Sequence, residues 1–509
     1  MGEFYDYIIV GAGSSGIPLA CRLSENSSVK VLLVEAGKDY EGIDDTPEEI
    51  KEGSATGHIL KLNDYSEHNW RFDATVNHLK KTMNVPRGKI VGGTSSINGQ
   101  VFLRGLPADY DSWSDFGGTK WNFSSLIPFF NNLENDLDMG GDFHGKEGPI
   151  PVRRYKKNEL FLEQSAFVDA CKSLGFEEIL DHNEPNSEGV GPLPLNNPNG
   201  IRWSTSLTYL HTARKRKNLQ VHPKTIVKKI IIKDGKAIGI LTESSSKEKR
   251  LMGGEIILSA GAIGTPKLLM LSGIGLESHL NDKNIRTVVN LPGVGENLRD
   301  HPMVHVRWNL HSSLKNYTKS LAQKVALRYT SPVSITKTDM ISVMRFDDSN
   351  KHLIISAGLF LANSSGTLRL RSANHNDDPI LEYRLLENPF DLMRMREGVR
   401  MNIKIGSEKA FNKILGERIS PNATEFKNDE SLNEWLLSTV NTTHHISCTA
   451  RMGFSKDPMS VVDQYGKVYG INNLRLADLS IMPDCIRANT NATAIMIGER
   501  ISSFIEEGN

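Results

Sequence analysis

Cysteine is scarce in this chain: Cys21, Cys171, Cys448 and Cys485 are the only four in 509 residues, and no two form a C-x-x-C pair. A disulfide framework and a structural zinc site are therefore excluded. The sequence also lacks any uninterrupted apolar run of the ~18 residues that would cross a bilayer. An excess of either charge is missing too. Sixty Lys plus Arg offset sixty Asp plus Glu, which leaves no overall field to attract nucleic acid or an anionic lipid surface. A small-molecule partner is expected instead. The short basic run Arg214-Lys215-Arg216-Lys217 stands alone and reads as a solvated helix end. The 43 glycines follow no repeat, and 39% apolar with 24% charged residues is an ordinary globular balance. Met1 to Asp6 leads into an apolar strand without a basic segment or a cleavage site, so no secretory signal is expected and the location is expected to be cytoplasmic. Without a secretory route, Asn-x-Ser/Thr triplets such as those at Asn26, Asn122 and Asn441 carry little weight. At roughly 100–200 residues per domain, the length allows two to four folding units.

What the sequence does contain is concentrated at its start. Tyr7 to Val10 reads as a buried strand, Gly11-Ala12-Gly13-Ser14-Ser15-Gly16 as a tight turn, Ile17 to Leu23 as a helix, and Val29 to Val34 as a second strand ending in Glu35 and Ala36. This is the βαβ dinucleotide fingerprint in its required context. Gly11 permits the turn, Gly13 lets the backbone approach a pyrophosphate, and Gly16 lets the helix pack on the strand. Ser14 and Ser15 open the helix, whose free N–H groups and positive dipole end favour phosphate. Glu35 sits where an acidic residue binds ribose hydroxyls, which favours FAD or NAD over NADP.

Farther on, Ile226 to Thr242 alternates around Asp234-Gly235 as a hairpin, and Glu255 to Leu258 is a further strand. From about 310 to 435 the chain is more polar and rich in turns, as a different domain inserted into the nucleotide-binding one would be. Leu474 to Phe504 returns to strand then helix and is expected to rejoin the first domain.

Three other segments, Arg87 to Gly99 (RGKIVGGTSSING), Gly261 to Leu269 (GAIGTPKLL) and Pro292 to His301 (PGVGENLRDH), resemble the signatures of the glucose–methanol–choline (GMC) oxidoreductases. The resemblance spans nearly the whole chain and weakens between about 305 and 435. It implies a doubly wound α/β FAD-binding domain with a discontinuous α+β substrate domain on an antiparallel sheet. The expected division is 1–155, 210–305 and 440–509 for FAD, and 156–209 and 306–439 for substrate. It further implies that Gly92, Thr94 and Asn98 line the pyrophosphate and flavin, with Gly99 and Val101 beside them. Val227 would meet adenine through its backbone, Trp70 would pack beside the adenosine, and Asp478 would lie near the pyrophosphate and ribityl chain. Thr493 completes the expected cofactor set. Some members carry a flavin-linking histidine just before the Asn of the first signature. Here Ile97 holds that place, so noncovalent FAD is expected.

Thr443 to Gly453 (THHISCTARMG) resembles the family's catalytic stretch, in which a His is followed four residues later by Thr and seven later by Met. His445 satisfies that spacing with Thr449 and Met452. A second position ten residues before the Glu of the closing helix points from Glu499 back to Asn489, giving a His–Asn pair as in the choline-dehydrogenase and aryl-alcohol-oxidase-like branches. The chemistry agrees with the types. A neutral imidazole can take a hydroxyl proton near working pH, and an amide offers a developing alkoxide a donor that titration cannot remove. His444 is either a gate beside the flavin or a packed imidazole. The family's usual Pro, small residue and Gly after the His are replaced by Ile446, Ser447 and Cys448. Cys448 is expected to be a small buried residue, and His301 a structural part of its signature.

The resemblance thus implies oxidation of an alcohol to a carbonyl by an FAD-dependent oxidase or dehydrogenase, with oxygen or another acceptor closing the cycle. A hydroxynitrile lyase and a light-driven decarboxylase occur on the same scaffold. A choline-type substrate would need an acidic or aromatic enclosure.

Overall fold

The computed structural model describes residues 4–53, 66–314, 323–346 and 352–509. The strand before the Gly-rich turn runs from Phe4 to Val10 (β1), with Ile8, Ile9 and Val10 buried as in the interior of a parallel sheet. The turn opens Gly16–Leu23 (α1), and the chain returns as Val31–Val34 (β2), parallel to β1 with Tyr7 opposite Val31 and Val10 opposite Val34. On the other side of β1 lies Lys247–Leu258 (β3). Its C-terminal half pairs parallel with β1, and its N-terminal half pairs antiparallel with Lys236–Ser244. The hairpin Ile226–Ser244 turns at Asp234 and Gly235, both at positive φ, as the Asp-Gly pair requires. Leu219–His222 and Leu474–Leu476 extend the parallel core, giving a seven-stranded sheet with the hairpin at one edge. Gly261–Leu271 (α2) follows directly from β3.

A second seven-stranded sheet is antiparallel throughout. Its centre is Pro302–Leu310 (β4), Met340–Phe346 (β5) and His352–Leu359 (β6), in the order β4-β6-β5. Asn441–Thr442 and Leu415–Ser420 also pair with β4, and Val325–Tyr329 and Gly189–Pro192 extend the other side. The register lines up Met303, Gly358 and Ile341, then His305, Ser356 and Val343, then Arg307, Ile354 and Arg345. Directly opposed residues share a face of a pleated sheet. The reverse face packs on Pro389–Gly406 (α3), where Ser342 Oγ donates to Asn402 Oδ1 at 2.6 Å and Asn402 Nδ2 donates to the Ile355 carbonyl at 3.1 Å. The middle of the chain, polar in its sequence pattern, is thus built on a sheet with a helix behind it and a free front.

The closing helix Asn491–Glu506 (α4) packs across α1. Glu499, the residue from which Asn489 was counted, accepts from Arg22 Nε at 2.8 Å and from the Tyr209 hydroxyl at 2.6 Å. A separate buried network joins Glu134, Asp136 and Asp181 to Arg104, Arg154 and His144. Burial alone would lower the His144 pKa, but bonds to the three carboxylates outweigh it and raise it to about 10. Three cations therefore balance three carboxylates there, which is how buried charges are tolerated. Among the described residues no helix is long and apolar enough to cross a membrane.

Candidate active site

A cavity of about 580 Å³ lies between the C-terminal edge of the parallel sheet and the front of the antiparallel one. In open α/β sheets that edge is where ligands bind. β1 delivers Gly11, Gly13, Ser14 and Ser15 to the cavity, β2 delivers Glu35 and Ala36, and β3 delivers Ser259 and Ala260 with the start of α2. Gly11 has φ +104°, and a Cβ there would lie 2.4 Å from the Ser259 carbonyl oxygen. Only glycine fits that crossing of two strand ends. The Glu35 carboxylate ties the loop together, accepting from Ala12 N at 3.1 Å and Gly37 N at 2.8 Å. Burial pushes its pKa up to about 7 against the pull of those backbone bonds. Asp478 takes the corresponding place under α2, accepting from Gly261 N, Thr265 Oγ1 and Ser480 N at 2.5–2.9 Å.

The structure brings most of the expected residues to this cavity: Trp70, Thr94, Asn98, Gly99, Val101, Val227, Asp478, His445 and Asn489 line it, as do Ile97 and His444. Trp70 stacks on Phe72 with ring centroids 6.0 Å apart, and Lys89 Nζ lies 4.7 Å from its centroid. Three expected residues do not line it. Gly16 sits against the Gly11 carbonyl where α1 meets β1. Gly92 is turned into the loop, where its neighbour Gly93 faces the cavity. Thr493 points away along α4 and bonds the Tyr110 hydroxyl at 2.8 Å, fully buried. Its side chain belongs to the packing of α4 and not to the cavity wall.

At the far side of the nucleotide-facing loops, His445 Nε2 is 3.0 Å from Asn489 Nδ2. Because the amide nitrogen only donates, Nε2 is the accepting nitrogen and the ring proton resides on Nδ1. Nδ1 lies 2.8 Å from Thr443 Oγ1 and 2.9 Å from His301 Nδ1. Asp300 fixes the whole corner: its carboxylate accepts from the backbone N–H of His445 at 3.0 Å and of His301 at 2.6 Å, and from Thr442 Oγ1 at 2.5 Å. Burial, reinforced by the neighbouring imidazoles of His301 and His444 and by the Arg87 guanidinium, holds His445 well below the usual imidazole range, and burial lowers His444 to about 3. Both are neutral at physiological pH.

The segment after His445 departs from the family in sequence but keeps a left-handed backbone. Cys448 stands where the family has Gly and adopts φ 69°, a conformation costing roughly 1–2 kcal/mol for an L-residue. Its side chain is buried, with Sγ 3.3 Å from Ser447 Oγ. Ser447 is in turn held to Arg299 by backbone hydrogen bonds in both directions at 3.0–3.1 Å. Sequence reasoning set His301 aside as structural, yet it is a direct neighbour of His445. It also missed His305, Arg345 and Phe360, which line the cavity from the antiparallel sheet. Strand register, invisible in one sequence, is what places them.

Fold and cavity together define a dinucleotide-binding α/β protein whose second, antiparallel sheet closes a site over the nucleotide loops. The chain belongs to the GMC oxidoreductases: the family's N-terminal model matches residues 5–303 and its C-terminal model residues 362–498. An oxygen-dependent choline dehydrogenase of Vibrio vulnificus is 32% identical over 99% of this chain and 95% of its own length. That of Sinorhizobium fredii is 34% identical over 98% and 95%. Among solved structures, pyridoxine 4-oxidase from Mesorbium loti superposes with a TM-score of 0.91 at 25% identity, covering 99% of each chain. A fungal aryl-alcohol oxidase, at 21% identity and a TM-score of 0.86, shares the fold.

Proposed function

We propose that this chain oxidises an alcohol to an aldehyde or ketone using noncovalently bound FAD, with His445 as general base and Asn489 as donor to the developing alkoxide. The observation that carries the reading is the 3.0 Å contact of His445 Nε2 with the Asn489 amide, set between the nucleotide loops and the antiparallel sheet. The residues fit FAD. The N-termini of α1 and α2 both open on the cavity, Asn491 Nδ2 is buried without a partner, and each Glu35 oxygen retains a lone pair beyond its backbone bond. Gly11, Gly13, Ser14 and Ser15 would hold the pyrophosphate, Glu35 and Ala36 the ribose, and Trp70 and Val227 the adenosine. Thr94, Asn98, Gly99, Val101 and Asp478 would hold the remainder. Ile97 has no nucleophilic nitrogen, which supports a noncovalent cofactor. The division into FAD-binding segments 1–155, 210–305 and 440–509 around a substrate part is proposed with it.

FAD, when bound, supplies the hydride acceptor. The hydroxyl proton passes to His445 Nε2, which is unprotonated because Asn489 bonds it. The same amide then donates to the substrate oxygen as charge develops there. Thr443 and His301 hold the Nδ1 side of the ring, so the base keeps its orientation. Anaerobic mixing with a panel of aliphatic, benzylic, furanic, sugar and choline-type alcohols should bleach the flavin for at least one. Cleavage of a cyanohydrin with the flavin left oxidised throughout would replace this reading with a lyase.

The cofactor contact has its own test at Gly13. A Cβ there would meet only Gly93 Cα, at 3.9 Å, and otherwise open cavity. Gly13→Val should therefore leave the unfolding midpoint of the apoprotein nearly unchanged. FAD affinity should fall by about 1–3 kcal/mol of overpacking, or roughly 10- to 100-fold in Kd. Fluorescence titration with FAD measures it, and unaltered affinity would move the pyrophosphate elsewhere.

A further inference from the structure

We propose that the antiparallel wall of the cavity carries a second binding point at His305, so that the alcohol oxidised is an apolar diol whose far hydroxyl rests on that imidazole. This deepens the alcohol-oxidising reading above and rests on it. Met303 pairs with Asn441, just before Thr443 to His445, which puts its row of the sheet nearest the catalytic corner. Met303, Ile341 and Val343 line the cavity there, and Phe360 lines it 4.3 Å from the His301 ring between centroids. The wall next to the base is therefore apolar. His305 interrupts it one row farther along β4, on the same face two residues beyond Met303, about 7 Å away at the usual rise.

One nitrogen of His305 is engaged and the other is open. Nδ1 lies 2.8 Å from Ser356 Oγ on β6, whose side chain bonds nothing else among the described residues. The ring lines the cavity, and among the described residues Nε2 has no hydrogen-bond partner. Burial, reinforced by the charges of Arg345 and Arg307, lowers the His305 pKa to about 3, so the imidazole is neutral. A neutral imidazole carries one proton, and the Ser356 hydroxyl can meet Nδ1 as donor or as acceptor. Nε2 therefore presents a lone pair in one arrangement and an N–H in the other. A hydroxyl satisfies both; an ether or a carbonyl satisfies only the second. An alkyl tail that drove water from Nε2 would leave it unpaired, which is how a site built to hydrogen-bond a substrate hydroxyl rejects the analogue lacking it.

The test uses the FAD-loaded enzyme and matched pairs in which a methyl group replaces the far hydroxyl: para-benzenedimethanol with para-ethylbenzyl alcohol, and α,ω-hexanediol with n-heptanol. Reductive kcat/KM is measured anaerobically for each and halved for the diols, which have two equivalent ends. In the pair turned over faster, the diol should exceed its methyl partner by about tenfold, the scale of one buried hydrogen bond left unmade. His305→Phe should bring that ratio to about one, and His305→Gln, whose amide also donates and accepts, should keep most of it. Because the ratio is taken within each variant, loss of folded enzyme cancels. Calorimetry with FAD-loaded His445→Ala reads the same pairs by binding: the diol should bind about tenfold more tightly, and adding His305→Phe should erase the difference. A ratio near one in the unaltered enzyme, a ratio that His305→Phe leaves intact, or flavin reduced by other alcohols and by neither diol overturns the inference while the alcohol-oxidising reading stands. If no alcohol bleaches the flavin, that reading falls, and the calorimetry alone decides the hydroxyl site.

Discussion

His445→Ala should keep its FAD and yet be reduced by alcohol roughly 100- to 10,000-fold more slowly, the usual weight of a general base. Among the described residues, no other imidazole or carboxylate bonds the Asn489 amide. His301 reaches the corner only through Nδ1 against His445 Nδ1, on the side away from the amide. His444→Ala should cost far less, since its side chain bonds neither Asn489 nor Asp300. The pH profile carries a second expectation. A base works deprotonated, so the rate rises with pH through its pKa. With His445 held well below the ordinary imidazole value, the acid limb should fall below about pH 6.5, and flavin reduction should be flat through neutrality. Anaerobic stopped-flow across pH measures both. Normal reduction in His445→Ala with a crippled His444→Ala would shift the register of the segment by one residue.

Asn489→Ala should slow reduction by on the order of 3 kcal/mol, the scale of losing one alkoxide donor. The amide does two things here: it marks Nε2 as the accepting nitrogen and it faces the place where charge develops. Without it the imidazole is free to carry its proton on either nitrogen, so part of the loss should appear as a fraction of enzyme in the wrong tautomer. Asn489→Asp should be worse than Ala, because a carboxylate beside Nε2 raises the base pKa and repels an alkoxide. An acid limb moved upward in the Asp variant, absent from the Ala variant, is the distinguishing readout. Equal reduction rates in all three proteins would leave Asn489 as packing.

The parts of this molecule legible in the sequence were those written in local spacing. The Gly11–Gly16 turn, the Asp234-Gly235 hairpin and the closing strand and helix all depend on neighbours within a few residues, and each lies where its pattern places it. The extension of β3 through Lys247 to Arg250 was not legible, because those charged residues are strand only by pairing with Thr242 and its neighbours at an exposed edge. The antiparallel sheet was read only in outline. β5 and β6 are buried on both sides, by α3 behind and the cavity wall in front, so the alternation that betrays a half-exposed strand is erased. The meeting of His301 with His445 needs a contact across 144 residues, which no local pattern encodes. Thr493 was misplaced relative to the cavity for a related reason: which face of α4 it occupies depends on Tyr110, far away in the chain.

Because front and back alternate regularly in the pairing of β4 and β5 with β6, the enzyme's evolvability is partitioned there by parity. On β4 and β5 the odd positions 303, 305, 307, 341, 343 and 345 share the front, and on β6 the even positions 354, 356 and 358 do. The intervening positions answer to α3. A library confined to the front set, with Gly358 held fixed because a Cβ there would lie 2.9 Å from Ile341 Cγ2, therefore varies the cavity wall and leaves the packing against α3 untouched. Changes drawn without regard to parity would also open or overfill the contact with α3, at a cost in stability.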